Sequence, residues 1–193
     1  ISIRRVIELN PNFALAHYNL GIILLELGNL EEAKLSTLKA IDLKPDFDMA
    51  YCNLGAILIA LGNLEEAELS TRKAIQIKPD YADAHLNLGN ILRDLGKLKE
   101  AELSTRKAIE IKPDYAEAHS NLGIVLKDLG KLKEAEISTR KAIELKSDFA
   151  DAHCNLGVIL KDMGKLMSSL KTDYSGEIDM GLAGKISKLK LSI

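Results

Sequence analysis

The sequence predicts an all-α protein made of stacked helical hairpins, and three recurrences predict it. All four prolines, Pro11, Pro45, Pro79 and Pro113, fall on one series with a spacing of 34 residues, which Ser147 continues without the ring. Gly21, Gly55, Gly89, Gly123 and Gly157 form a second series at that spacing, and Gly28, Gly62, Gly96, Gly130 and Gly164 form a third. Between these markers apolar and small residues recur at the i, i+3, i+4 and i+7 intervals of a helix face, as in His85, Leu88, Gly89 and Leu92.

The first helix of each unit carries that face, and its small glycine admits a neighbouring helix closely. A turn follows at the later glycine, Gly96 in the third unit. A second helix then runs from about Leu98 to Lys112 with Leu98, Ala101, Leu103, Thr105, Ala108 and Ile109, and stops before Pro113 because proline disfavours helix in the residue ahead of it. Asn29 and Asn63 stand where an N-cap is wanted, with Glu32 and Glu66 three residues on, close to a capping box. Lys97 and Lys131 replace them later and are poorer caps. A 34-residue hairpin cannot bury its apolar faces alone, so the units must stack into a continuous core.

Four complete units are expected at 14–47, 48–81, 82–115 and 116–149, with a partial fifth at 150–167. Residues 1–13 match the end of a preceding unit: Ser2, Val6, Ile7, Glu8 and Pro11 align with Ser36, Ala40, Ile41, Asp42 and Pro45. This start within a hairpin, without an initiator Met, reads as a piece of a longer chain. After Leu166 the register fails, since Ser169, Asp173 and Gly176 stand where Ala, Thr and Ala are due. Residues 168–193 form a non-repeat segment, in which Met167 to Thr172 can still continue as a second helix. Beyond it Ile178, Leu182, Ile186, Leu189 and Ile193 are spaced as the stripe of a capping helix. A disordered tail and a membrane-surface helix built on Lys185, Lys188 and Lys190 are the weaker alternatives.

Composition excludes several classes of function. A formal charge of −2 and a pI near 6.1 provide no basic field for a phosphate backbone, so no nucleic-acid partner is expected. No run of about 18 apolar residues suggests a membrane span, and no signal peptide is evident. Two cysteines, Cys52 and Cys154, fit a reducing compartment, and the cytoplasm is the expected location.

On these residues the chain resembles the tetratricopeptide repeat family. The family pattern appears as His85, Leu88-Gly89, Ala101, Ala108 and Pro113 and recurs in register from Ala14 to Leu166. Tyr51 or the histidines stand for the usual Trp, and Thr37, Thr71, Thr105 and Thr139 for an aromatic in the second helix. The resemblance implies a right-handed superhelical solenoid whose first helices line a concave peptide-binding groove. It also implies a protein-interaction scaffold with no catalytic site, no cofactor and no metal.

The residues bear on that implication. His17, His85, His119 and His153 share one repeat position, but packed helices lie roughly 8 to 10 Å apart, while ligands of one zinc must approach within about 3 to 4 Å. Tyr51 takes the same place, as a packing position allows. Cys52 and Cys154 lie three units apart, on the order of 25 to 30 Å by that helix spacing, against a disulfide limit of about 7 Å. No phosphate-binding glycine loop or nucleophile set is identifiable.

One recurrence is harder to assign to packing: Asn19, Asn53, Asn87, Asn121 and Asn155, each just before the Leu-Gly pair. At 100° per residue the site turns away from the His-Leu-Gly-Leu stripe. A similar asparagine row marks the superhelix of O-linked N-acetylglucosamine transferase, which implies a clamp on the backbone of bound polypeptide. An amide both donates and accepts, so it can pair with peptide groups without reading side chains. The opposing reading is that the asparagines bond neighbouring helices. Around them the groove is expected to be apolar first, with Tyr18, Ile22, Leu25, Ala56 and Ile59 as anchor, and charged later, with Asn90, Arg93, Lys127 and Lys161 beside acidic residues. Cys52 is expected on the apolar part of the same face. The sites before the asparagines, Tyr18, Cys52, Leu86, Ser120 and Cys154, lack the cations of the family's carboxylate clamp. The expected partner is therefore a protein or peptide segment. Two alternatives stay open: a substrate-recruiting arm of a larger glycosyltransferase or sulfotransferase, and a homo-oligomer joined through the array ends.

Overall fold

The computed structural model describes residues 3–173, and every element within them is a helix. The chain divides into two compact units. The first, Ile1–Ile111, contains α1 (Ile3–Leu9), α2 (Ala14–Glu26), α3 (Leu30–Leu43), α4 (Asp48–Ala60), α5 (Leu64–Ile77), α6 (Ala82–Asp94) and α7 (Leu98–Ile111). The second, Lys112–Ile193, contains α8 (Ala116–Asp128), α9 (Leu132–Leu145) and α10 (Ala150–Asp173).

In the first unit α2 with α3, α4 with α5, and α6 with α7 are the expected hairpins, and α3 and α5 also pack on the first helix of the next hairpin. The second unit repeats this with α8 and α9, and α10 packs on both. The core of each hairpin is narrow because its residues are small. Ala33, Ala40, Ala67, Ala74, Ala101 and Ala108 are fully buried in the first unit, and Ala118, Ala135, Ala142 and Ala152 in the second. Glycine sets the closest approach. A Cβ added to Gly21, Gly55, Gly89 or Gly123 would run into the hydroxyl of Thr37, Thr71, Thr105 or Thr139, respectively. Threonine, where the family has an aromatic, fills this contact with its hydroxyl and is fully buried.

The turns between paired helices are made by backbone. Gly28, Gly62, Gly96 and Gly130 adopt φ between 75° and 79°, a left-handed conformation that costs glycine least. Gly28 N–H donates to Leu25 O at 3.0 Å and Asn29 N–H to Leu24 O at 2.8 Å, a pair of bonds that ends the helix as a Schellman motif. Lys97 and Lys131 make the same bond to Leu92 O and Leu126 O. This corrects the expected capping boxes. Asn29 and Asn63 form no side-chain cap, their ψ of 67° and 69° lying well short of extended, so lysine serves as well at this position.

The turns between hairpins recur as strictly. His17, His85 and His119 place Nε2 2.8 to 2.9 Å from the carbonyl of Pro11, Pro79 and Pro113, and His153 reaches Ser147 O at 2.9 Å. Each histidine thus ties a first helix to the turn before it. Lysine ammoniums lie over the aromatic ring three residues on: Lys44 over Phe47, Lys78 over Tyr81, Lys112 over Tyr115 and Lys146 over Phe149, at 4.5 to 5.1 Å.

The fifth repeat departs from the pattern. Gly164 makes no turn, and α10 runs through it to Asp173 as one helix. A second helix folded back in register would place Asp173 at the fully buried threonine site, and a carboxylate there would lose its hydration without a partner. The stripe from Ile178 to Ile193 lies outside the described residues.

The glycine contact makes a direct prediction. Gly89→Ala should destabilise the chain by roughly 1 to 3 kcal/mol through overpacking, and Thr105→Ala in the same chain should recover part of the loss. Urea denaturation of the single and double variants measures the coupling.

Candidate functional site

The first helices of a unit present one face free of second-helix packing, and the candidate residues occupy it. In the first unit Tyr18, Ile22 and Leu25 of α2 and Ala56 and Ile59 of α4 are each half-buried. Tyr18 packs on Phe47, with ring centroids 5.0 Å apart and planes tilted by 47°. Leu25 and Ile59 also flank core clusters, so only part of each side chain is available. Leu15 and Met49 stand out further, at 42% and 39% exposed. On α6 Asn90 and Arg93 are half-buried, and Arg93 Nη2 pairs with Asp94 at 2.7 Å. In the second unit Lys127 pairs with Asp128 at 2.9 Å, and Lys161 is exposed.

The asparagines are all half-buried, and three of them show how the amide is used. Asn87 Nδ2 donates to Cys52 Sγ at 3.4 Å, and Asn155 Nδ2 to Ser120 Oγ at 3.1 Å. In both cases the acceptor lies one repeat earlier, on the residue just before that repeat's own asparagine. Asn53 differs, donating to Thr37 Oγ1 at 3.1 Å. At the matching position for Asn53 stands Tyr18, a large ring packed on Phe47, in place of the small Cys52 and Ser120. Asn87 by contrast turns to Cys52, and Thr71, sixteen residues before Asn87, keeps a buried hydroxyl with no partner among the described residues. Thr105 and Thr139 donate instead to Ala101 O and Ala135 O. Each of these three amides therefore uses one N–H inward, and none of the three Oδ1 atoms accepts a hydrogen bond among the described residues. Asn19 and Asn121 hold the same position, also half-buried.

The expectation that Cys52 lies on the groove surface is corrected: it is 5% exposed and belongs to a core cluster with Ala74 and Ala84. Burial pushes its thiol up to about 11, against smaller opposing effects from hydrogen bonds with Asn87 and Tyr81. Burial also raises the Tyr81 and Tyr18 hydroxyls. This packed polar patch beneath the anchor was not legible in sequence, because the repeat register aligns Cys52 with Tyr18 and Ser120 and says nothing of which one points inward.

In the second unit Asn155 and Lys127 border a cavity of about 160 Å³ with Ile124, Val158 and Ile159. It combines an amide, an ammonium and apolar walls in a space suited to one side chain. Among the described residues no group of three His, Cys, Asp or Glu side chains could hold a metal ion, and no helix is long and apolar enough to cross a membrane.

Comparison with known proteins adds the following. Residues 3–34 and 37–68 match a family model described as Tetratricopeptide repeat, residues 56–96 and 89–130 one described as TPR repeat, and residues 116–149 a further Tetratricopeptide repeat model. No curated protein matches the chain in sequence. Among solved structures the chain is similar to TTC0263, a thermophilic TPR protein of Thermus thermophilus, at 27% identity over 82% of this chain and 87% of that one, with a TM-score of 0.73. It is similar to YrrB, a TPR protein with an unusual peptide-binding site, at 26% identity over 97% and 98%, with a TM-score of 0.68. The first TPR of Spaghetti (RPAP3), bound to an HSP90 peptide, shares the fold at 24% identity over 61% and 93%, with a TM-score of 0.59.

The thiols give a test of the packing beneath this face. Cys154 is exposed and Cys52 buried, so iodoacetamide at about pH 8 should label Cys154 alone in the native chain and both after denaturation, read by mass. Because the folded value of Cys52 lies above the unfolded one, its contribution to stability is complete below the ordinary thiol range and is lost as pH rises through about 11.

Proposed function

The chain belongs to the tetratricopeptide repeat family, and from that premise we propose that it is a protein-interaction scaffold that holds extended polypeptide segments along the first-helix face. The carrying observation is the divided use of the asparagine amides. Asn53, Asn87 and Asn155 each fix one N–H on a neighbouring helix and leave Oδ1 unbonded among the described residues. A peptide N–H can donate to such an oxygen, and an amide held from behind loses little freedom when it accepts.

Peptide-backbone recognition of this kind is tolerant of sequence, so selectivity falls to the side-chain sites nearby. In the first unit these are the half-buried Tyr18, Ile22, Ala56 and Ile59, which suit an apolar anchor. In the second they are the small cavity beside Asn155 and the Lys127–Asp128 pair, which suit a side chain that is apolar with a polar tip. Each backbone hydrogen bond contributes about 0.5 to 1.5 kcal/mol net, whereas micromolar binding needs about 8 kcal/mol. The apolar contacts must therefore carry much of the affinity. YrrB, which spans nearly the whole of this chain, is a TPR protein with a peptide-binding site, and that supports a peptide ligand here.

The probe for this proposal is a permanently unfolded polypeptide, reduced and carboxymethylated lactalbumin, labelled for fluorescence anisotropy. Asn53→Ala/Asn87→Ala/Asn155→Ala should weaken its binding by about tenfold or more, as the loss of three such bonds implies, and Ile22→Ser/Ile59→Ser should weaken it independently. Unchanged affinity in both variants, at unchanged helicity, would overturn the assignment.

A further inference from the structure

Each complete repeat carries an apolar side chain that the core does not use. Leu35 on α3, Leu69 on α5 and Leu103 on α7 are 68%, 70% and 70% exposed, and they recur at the repeat spacing within the first unit. Ile137 holds the same place on α9 in the second unit, at 62% exposed. Single exposed leucines are ordinary on a protein surface, but here the neighbours change between copies while this position stays apolar. The residue before it is Lys34, Glu68 or Glu102, and the one three places after it is Leu38, Arg72 or Arg106.

Charges border the row in a fixed order on α3 and α5. One turn before the leucine stand Glu31 and Glu65, and one turn after it stand Lys39 and Lys73. Glu31, Lys39 and Glu65 are exposed and make no ion pair among the described residues, and Lys73 donates to the Gln76 amide at 3.1 Å. The acid and the base of one helix are eight residues apart, about 12 Å along the axis at 1.5 Å per residue, too far to pair with each other. Cross-helix pairs meanwhile set the second helices side by side: Lys34 lies 3.9 Å from Glu66, and Arg72 bonds Glu100 at 3.1 Å. The surface that fits this one has a leucine row and the same charges in reverse order. This face has that order itself when turned over about a two-fold axis running along the row. We propose that two copies of the chain associate through the second-helix faces of their first units, with Leu35, Leu69 and Leu103 each against its own counterpart.

The symmetry settles the register. Helices related by such an axis run antiparallel, so residues equally far before and after the central leucine face each other. Glu31 then meets Lys39 of the second copy and Glu65 meets Lys73, and each pair occurs twice. On α7 Lys99 meets Lys107, whose charge Glu110 already balances at 2.6 Å. A two-fold axis along the helices would instead set Glu65 on Glu65 and Lys73 on Lys73, which like-charge repulsion disfavours. Three leucine pairs are a small apolar core for an interface, so the dimer is reversible and grows with concentration. It leaves the first-helix face open, and it does not rest on the peptide-binding proposal.

Sedimentation velocity of the full chain over a wide concentration range should show a monomer–dimer equilibrium. Leu35→Gln/Leu69→Gln/Leu103→Gln should abolish it at unchanged helicity, since these side chains lie outside the core. Glu65→Lys should weaken dimerisation by about five- to tenfold, as two repulsive contacts imply, and Glu65→Lys/Lys73→Glu should restore it. In a Cys154→Ser background, Leu69→Cys should be joined to itself by a short bis-maleimide far faster than Leu27→Cys, which is equally exposed but lies off the row. Three results would each overturn the proposal. They are a monomer at every concentration, as a face for a different protein would give; a dimer that survives the three glutamines, as contact through the array ends would give; and no rescue by the double charge reversal.

Discussion

Everything in this structure depends on how closely two helices of a hairpin approach at one point. At Gly21, Gly55, Gly89 and Gly123 the absence of a side chain lets a threonine hydroxyl rest almost on the helix backbone. That spacing in turn lets alanines, which offer little surface each, be fully buried on either side of it. Packing density is what makes such small residues sufficient: a larger gap would forfeit most of the dispersion contact that a methyl group can make. At Gly157 no described residue fills that contact, and the helix continues through Gly164 to Asp173.

A close-packed array has to accommodate its polar groups, and it does so in few ways. Four turn carbonyls are met by histidine, the ends of first helices by backbone bonds, and the hydroxyls of Thr105 and Thr139 by a carbonyl four residues back and that of Thr37 by asparagine, while Thr71 keeps its hydroxyl without a partner among the described residues. The asparagines are the variable part of this scheme. Their target changes with the residue one repeat earlier, from threonine where that residue is Tyr18 to Cys52 or Ser120 where it is small. A position that looks uniform in the repeat therefore has a different local environment in successive copies. On the outer surface the second helices exchange ion pairs, such as Arg72 with Glu100 and Lys97 with Glu68. Lys97, and less strongly Arg72, hold Glu68 below the usual carboxylate range by hydrogen bonds, though exposed pairs of this type contribute at most about 1 kcal/mol.

The fold is almost wholly legible without coordinates, because its markers are local. Proline ahead of each hairpin, glycine at each turn and glycine at each crossing act within one or two turns of helix, and 34-residue repetition presents each signal several times. Asn29 and Asn63 mislead as capping boxes because sequence shows a favourable side chain but not the ψ angle that decides whether it can reach. The candidate site is legible as a face and not as a set of bonds. Spacing places Asn53, Asn87 and Asn155 on that face, but their inward donors depend on residues 16 or 35 positions away in another helix.

By itself the sequence determined the helices and turns of the four complete repeats, the repeat length and the place where the register breaks, since each follows from backbone preferences and short-range spacing. Only the tertiary structure decided which polar atom of each asparagine faces a neighbour, that Cys52 lies within the core rather than on the groove, and that α10 passes Gly164 without turning. These depend on contacts between segments distant in the chain. A glycine turns a helix only when there is a face for the next helix to pack against, and that face is a property of the assembled core.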